Sequence, residues 1–172
     1  MKNILAISGS TKKGASNEKI IGFIANTLSG KAHIDIYKGL KELPYFEPGL
    51  TDEQLPAEVK DFLDKINNAD AILISTPEYV FSIPGVLKNA LEWTVATTVL
   101  SDKPIDFIVA AASGEKAFES LDLILSTLVQ YPIVLKNKLL IKGVGQYFDA
   151  HGMLTNESVK AQLTSLGENL IS

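Results

Sequence analysis

Two short stretches hold most of the residues that could do chemistry. The first, SGSTKKGASN at 8–17, follows the apolar run NILAI. Ser10, Thr11 and Ser16 bring hydroxyl donors, Asn17 an amide and Lys12 a positive charge. The loop then opens into a segment with helical spacing, and the free N–H groups and dipole of a helix start favour an anion. A phosphate is the ligand this composition suits best. The pattern is neither GxxxxGK[ST] nor GxGxxG, because its glycines are Gly9 and Gly14 alone. Helix capping by Ser16 or Asn17 is the plainer reading. It accounts for one residue and leaves the rest of the loop unexplained.

The second stretch, STPEYVFSIPG at 75–85, also links an apolar run to a helical pattern. Pro77 and Pro84 stiffen it, Ser82 is a candidate helix cap, and Pro84 suits a first helical turn. Tyr79 and Phe81 fall where the chain should face solvent. Exposed aromatics on a stiff loop suit a flat ligand or a partner surface. Packing of Phe81 back onto the sheet is the equal alternative.

Other chemistries lack their residues. The chain has no cysteine, which excludes disulfides, thiol nucleophiles and thiolate-bound metals. His33 and His151 stand apart, without the spacing of a metal site, and no catalytic triad can be assembled. The net charge of −4 argues against a nucleic-acid backbone as partner. The N-terminal apolar run, about five residues, is shorter than the roughly 7–15 of a signal-peptide core. No apolar window approaches the roughly 18 residues of a membrane span. A cytoplasmic protein without membrane contact is expected.

These loops need a frame to position them. Apolar runs at Ile4–Ile7, Ile34–Tyr37, Ala71–Ser75, Ile105–Ala111 and Leu139–Val144 read as strands. The first, third and fourth are almost continuously apolar, as parallel strands covered on both faces should be. Helical stripes lie between and after them: Ile20, Ile24 and Leu28; Val59, Phe62, Leu63 and Ile66; Phe118, Leu121, Leu125 and Leu128; Val159, Leu163, Leu166 and Leu170. A further helix is expected from Pro84 to about Val99. The alternation predicts one α/β domain over residues 1–172, with helices on both faces of a doubly wound five-stranded parallel sheet of order 2-1-3-4-5. In such sheets ligands bind beyond the carboxyl ends of the strands where the order reverses, which places the two stretches side by side. Residues 38–54, with Gly39, Pro44, Pro48 and Gly49, read as a long surface connector, a lid or partner contact being the alternative.

With those residues in place, the chain resembles the NADPH-dependent FMN reductases, a flavodoxin-like group that includes quinone, azo-dye and chromate reductases. GSTKKGASN, Gly9 to Asn17, is similar to that family's GSxRxxSxN phosphate loop. PEYVFSIPGVLKNALEW, Pro77 to Trp93, is similar to its PEYNxSxPGxLKNAxDW signature, and YFDAHGMLTNE, Tyr147 to Glu157, to its late FDxxGxLT segment. The resemblance implies bound FMN with NADPH or NADH as co-substrate. Ser10, Lys12, Ser16 and Asn17 would hold the flavin phosphate, and the hydroxyl of Thr11 joins that loop. Pro77, Glu78, Tyr79 and Val80, with Phe81 beside them, would border the ring, and Ser113 and Gly114 would flank it from the other side. The family works as homodimers or homotetramers, with the helix carrying Leu87, Leu91 and Trp93 at a contact; core packing is the equal alternative for Trp93. Three departures stand out: Lys12 in place of Arg, Val80 in place of Asn, and SGEKAFES after the fourth strand without paired glycines. The expected activity is electron transfer from a nicotinamide through FMN to a small acceptor, by a ping-pong scheme. The rivals are a flavodoxin-like electron carrier and a non-catalytic binding module.

Overall fold

The computed structural model describes residues 1–128 and 135–172. The strands are β1 (Lys2–Ser8), β2 (Ala32–Tyr37), β3 (Ala71–Thr76), β4 (Ile105–Ala111) and β5 (Leu135–Lys142). The helices are α1 (Ser16–Thr27), α2 (Ala57–Asn68), α3 (Gly85–Glu92), α4 (Glu115–Leu128) and α5 (Glu157–Ile171), with a 3-10 turn at Val144–Tyr147. All strand pairs are parallel and the order is β2-β1-β3-β4-β5, as the alternation of patterns predicts.

Each central strand is apolar on both sides because each side has its own helix layer. Leu5, Ile7, Ile72, Ile74, Phe107 and Val109 face α2, α3 and α4. Ile4, Ala6, Leu73, Ile108, Ala110 and Ile141 face α1 and α5. The two-residue period of a strand divides one apolar run between two cores. β1 and β3 lie at the reversal of strand order, so the loops that leave their carboxyl ends diverge and leave a crevice.

Two local expectations change, and a third gains detail. The helix after Pro84 ends at Glu92, not near Val99. A β-branched run follows, and its hydroxyls satisfy the backbone in another way: Thr94 Oγ1 donates to the Leu91 carbonyl at 2.8 Å and Thr97 Oγ1 to that of Thr94 at 2.8 Å. The fifth strand is Leu135–Lys142; Gly143, at φ 64°, turns the chain so that Val144 starts the 3-10 turn. The 38–54 connector is pinned. Asn89 Nδ2 and Trp93 Nε1 both donate to the Pro44 carbonyl at 2.9 Å, and the Phe46 N–H donates to Asn89 Oδ1 at 2.8 Å. Phe46 meets Trp93 edge-on, with centroids 5.2 Å apart. Trp93 is thus part of the core of its own chain. Among the described residues no helix is long and apolar enough to cross a membrane.

Candidate functional site

The site is built by three loops at the carboxyl ends of β1, β3 and β4. The β1 loop leaves the sheet at Gly9, whose N–H donates to the Ser75 carbonyl at 2.8 Å. A Cβ at Gly9 would lie 2.2 Å from Thr76 Oγ1, so this close approach of β1 to β3 requires glycine. The loop folds on itself: Ser10 Oγ accepts from the Lys12 N–H at 3.3 Å, and the Glu18 carboxylate accepts from the Gly14 N–H at 2.7 Å.

Helix capping does not account for this loop. The N-cap of α1 is Ala15, which has no side-chain acceptor, and Ser16 and Asn17 lie inside the first turn. The first-turn N–H groups of α1 therefore lack a side-chain cap. Thr11 and Ser16 have no side-chain hydrogen bond among the described residues, and Lys12 is exposed without an ion pair. Asn17 is placed differently. Its side chain is buried; Oδ1 accepts from Ser75 Oγ at 2.8 Å and Nδ2 donates to the Ala110 carbonyl at 3.2 Å. Asn17 ties the start of α1 to β3 and β4, and only its main-chain N–H is left to face a ligand. Ser75, fully buried at the end of an apolar strand, is the partner that sequence reasoning missed. Its signal was a hydroxyl within AILIST.

The β3 loop runs from Pro77 to the N-cap of α3, which is Pro84; Ser82 does not cap the helix. Instead, Tyr79 and Ser82 exchange main-chain hydrogen bonds of 2.9 and 3.1 Å across Val80 and Phe81. Val80 and Phe81 have φ of 49° and 57°. Two successive positive φ values make a two-residue turn of type I′, which favours Asn and Gly. Val80 and Phe81 are 94% and 80% exposed, and Tyr79 is 48% exposed. Phe81 does not pack back on the sheet. Ser82 Oγ lies 3.3 Å from Ser120 Oγ on α4, which holds the base of the turn.

The β4 loop is short, with Ser113 exposed and Gly114 buried at φ 97°. It leads into α4, whose start is capped from elsewhere: Glu78 Oε2 accepts from the N–H groups of Lys116 and Ala117, both at 3.0 Å. Glu78 is thereby committed to a helix start and locks the β3 loop to the β4 loop. The charge around α4 is otherwise paired. Lys142 hydrogen-bonds Glu115 and holds its carboxyl below the usual range, while Glu119, 2.6 Å from Lys116 Nζ, raises that ammonium.

The structure brings Ser10, Thr11, Lys12 and Ser16 together at the start of α1. Pro77 to Phe81 and Ser113 to Gly114 border the same sheet end. Among the described residues no group of three or more His, Asp or Glu side chains could hold a metal. The late Tyr147 to Glu157 segment is a closed turn, in which Asp149 Oδ1 accepts from the N–H groups of His151 and Met153 at 2.9 and 2.8 Å. It rests beside α1, with Lys19 Nζ 5.1 Å from the centre of the Phe148 ring.

Comparison with known proteins points the same way. The profile of the NADPH-dependent FMN reductase family matches residues 2–145. An NADH:(hydroxy)cinnamate reductase subunit of Vibrio ruber is 40% identical over 113 residues, 65% of this chain and 54% of the relative. A quinone reductase of Escherichia coli K12 is 28% identical over 59% of this chain and 53% of its own length. The chain thus spans about half the length of these first relatives. An NAD(P)H-dependent FMN reductase of Pseudomonas aeruginosa is 29% identical over 91% of this chain and 86% of the relative. Among solved structures, a flavoenzyme NAD(P)H:(acceptor) oxidoreductase of Paracoccus denitrificans shares the fold, with a TM-score of 0.78 at 21% identity over 99% of this chain and 96% of that one.

Proposed function

The chain belongs to the NADPH-dependent FMN reductase family, and from that premise we propose that it is an FMN-dependent NAD(P)H oxidoreductase serving a small acceptor. The acceptor class is a quinone, an azo compound, a metal oxyanion or a free flavin. The observation that carries the proposal is the uncapped start of α1, ringed by Thr11, Lys12 and Ser16 and set at the same sheet end as the outward-facing 79–82 turn.

A bound FMN would supply the two-electron chemistry between nicotinamide and acceptor. The chain would supply position. Ser10, Thr11, Lys12, Ser16 and the first-turn N–H groups of α1 would hold the phosphate. Pro77, Glu78, Tyr79, Val80 and Phe81 would border one side of the ring, with Ser113 and Gly114 on the other. Glu78 would act by keeping these two loops in register, and Asn17 by fixing α1 against β3 and β4. Both are positioning residues: Glu78 Oε2 serves two main-chain donors of α4, and the Asn17 amide is held by Ser75 and Ala110. Nicotinamide and acceptor would enter in turn, in a ping-pong scheme. Residues 1–172 would act as one domain, and assembly as a homodimer or homotetramer belongs to the proposal; the exposed Tyr45 and Val95 beside the Trp93 region support it.

The test is a calorimetric titration of the purified chain with FMN, followed by anaerobic addition of NADPH or NADH. Saturable binding with loss of the visible flavin band is expected. Binding without bleaching would move the chain to the electron carriers, and no binding would overturn the reading.

A further inference from the structure

A cavity of about 390 Å³ lies outside the proposed flavin site, between the edge strand β2 and α2. Its volume is within the ~300–1,000 Å³ of small-molecule sites. Asp35 and Tyr37, two apart on β2, share a strand face. Glu58, Asp61 and Lys65 share a face of α2 at helical spacing. Glu42 enters from the 38–54 connector. The lining thus holds four carboxylates and, with Lys38, two ammoniums. Lys65 is shared, 3.9 Å from Asp35 and 3.8 Å from Asp61. Glu42 and Glu58 have no ion pair among the described residues. The dipole at the start of α2 accounts for Glu58. It does not account for Glu42.

Tyr37 points to a ligand independently of this charge. It is only 6% exposed, and its ring packs on Phe62 with centroids 4.9 Å apart. Yet its hydroxyl makes no hydrogen bond among the described residues. A buried hydroxyl is normally paired, because leaving it without a partner is costly. The hydroxyl reaches Gly39, which also lines the cavity. A Cβ there would lie 2.6 Å from the phenol oxygen, so the glycine leaves that oxygen uncovered. Burial, then the charges of Asp61, Glu42 and Glu58, push the phenol up to about 12. The three carboxylates therefore bear on the same uncovered oxygen.

Negative charge with a free oxygen acceptor calls for a cation that donates hydrogen bonds. A metal ion does not fit: among the described residues no group of three or more acidic or histidine side chains could hold one. The carboxylates are spread along the cavity, which suits a cation with a charge at each end. The Asp35 and Tyr37 positions are about 7 Å apart along the strand, a span that a short alkyl diamine covers. Ile36 and the Tyr37 ring offer apolar surface to its carbon chain. We propose that the cavity between β2 and α2 binds an alkyl diammonium. One ammonium donates to the Tyr37 oxygen among Glu42, Glu58 and Asp61. The other meets Asp35, which Lys65 holds only at 3.9 Å. No residue assigned to the flavin lines this cavity, so the proposal stands apart from the flavin reading.

Isothermal titration of the full chain with 1,4-diaminobutane at low ionic strength tests it, with butylamine and magnesium as comparison probes. Saturable, equimolar binding of the diamine is expected, about tenfold tighter than butylamine because its second ammonium is tethered. Glu58→Gln/Asp61→Asn should weaken it about tenfold. Tyr37→Phe changes no charge near neutral pH and should weaken it about fivefold. Glu157→Gln/Glu168→Gln removes as much charge from α5, on the other face of the sheet, and should change it less than about twofold. No saturable binding, an equal loss in the α5 pair, or displacement by magnesium at equal concentration would overturn the proposal. So would full affinity in Tyr37→Phe, which would leave only a general attraction of cations to an acidic chain. FMN titration of the same variants should match wild type. If FMN fails to bind any of them while the diamine pattern holds, the flavin reading falls and this site stands. Glu58 and Asp61 are exposed, so matched thermal melts should confirm that their variant folds.

Discussion

Replacing Val80 by asparagine should stabilise the protein by about 1 kcal/mol. Val80 has φ 49° and Phe81 φ 57°. The left-handed region costs an L-residue about 1–2 kcal/mol, more awkwardly so when the side chain is β-branched, and asparagine is one of the few residues that tolerate it. Little packing would be lost. Val80 is 94% exposed, so its remaining burial is worth no more than about 0.3 kcal/mol at ~25 cal/mol per Å². The turn itself is fixed by the Tyr79–Ser82 hydrogen-bond pair, which asparagine leaves untouched. For a chain of this length 1 kcal/mol moves the melting temperature by about 2–4 °C. Urea denaturation of dilute protein measures the effect. Val80→Thr is the control: it keeps the branch and should stay within about 0.5 kcal/mol of wild type. An asparagine variant that is neutral or weaker, with threonine equal to it, would refute the claim that this turn stores strain.

Other perturbations act on the braces of the site. Asn17→Ala should cost about 2–3 kcal/mol, because it orphans the buried Ser75 hydroxyl and the Ala110 carbonyl together; thermal melting of the unliganded chain reads it. Glu78→Ala should cost about 1–2 kcal/mol by uncapping α4, and Glu78→Gln should recover most of that because its amide oxygen still accepts. Hydrogen exchange at the Lys116 and Ala117 amides should rise in the alanine variant alone. Gly9→Ala should cost about 2–3 kcal/mol, since rotating Thr76 moves Oγ1 but not its Cβ, 2.7 Å from the new methyl. Tyr37 brings a pH signature. Burial, then the charges of Asp61, Glu42 and Glu58, push its phenol from 10.0 up to about 12. The folded state thus holds its proton where the unfolded state has lost it. Its share of stability is intact below pH 10 and fades as pH rises toward and through 12. Tyr37→Phe should flatten that alkaline decline in denaturation curves taken between pH 9 and pH 12.

The sheet order was legible because continuous apolar runs alternated with four-residue stripes, and few folds satisfy both patterns. The carboxyl-end position of the site followed from the order alone. Helix ends were less legible. Ser16 and Asn17 have the side chains of caps, yet Ala15 takes the position, because Asn17 is drawn inward by Ser75 and Ala110, contacts 58 and 93 residues away in sequence. The helix after Pro84 looked longer than it is, since the hydroxyls of Thr94 and Thr97 compete for carbonyls only once the chain has turned. Glu78 was assigned to the site by its neighbours, but its carboxylate reaches a helix start 38 residues on, and no local pattern announces a long-range cap.

These long-range contacts also explain how a strained turn persists at the mouth of the site. The left-handed pair at Val80 and Phe81 is flanked on one side by Glu78, anchored to α4, and on the other by Ser82, beside Ser120 of the same helix. Relaxing the turn would require shifting at least one of these anchors. The cost at two exposed residues is smaller than the loss of the Glu78 cap and the Ser82–Ser120 contact together, so the turn stays. What the arrangement achieves is a fixed outward presentation of Tyr79, Val80 and Phe81. A flexible loop would fold those side chains back against the sheet to bury them. Strain here goes with an apolar edge held open beside an uncapped helix start, the shape that a flat, phosphate-bearing ligand requires.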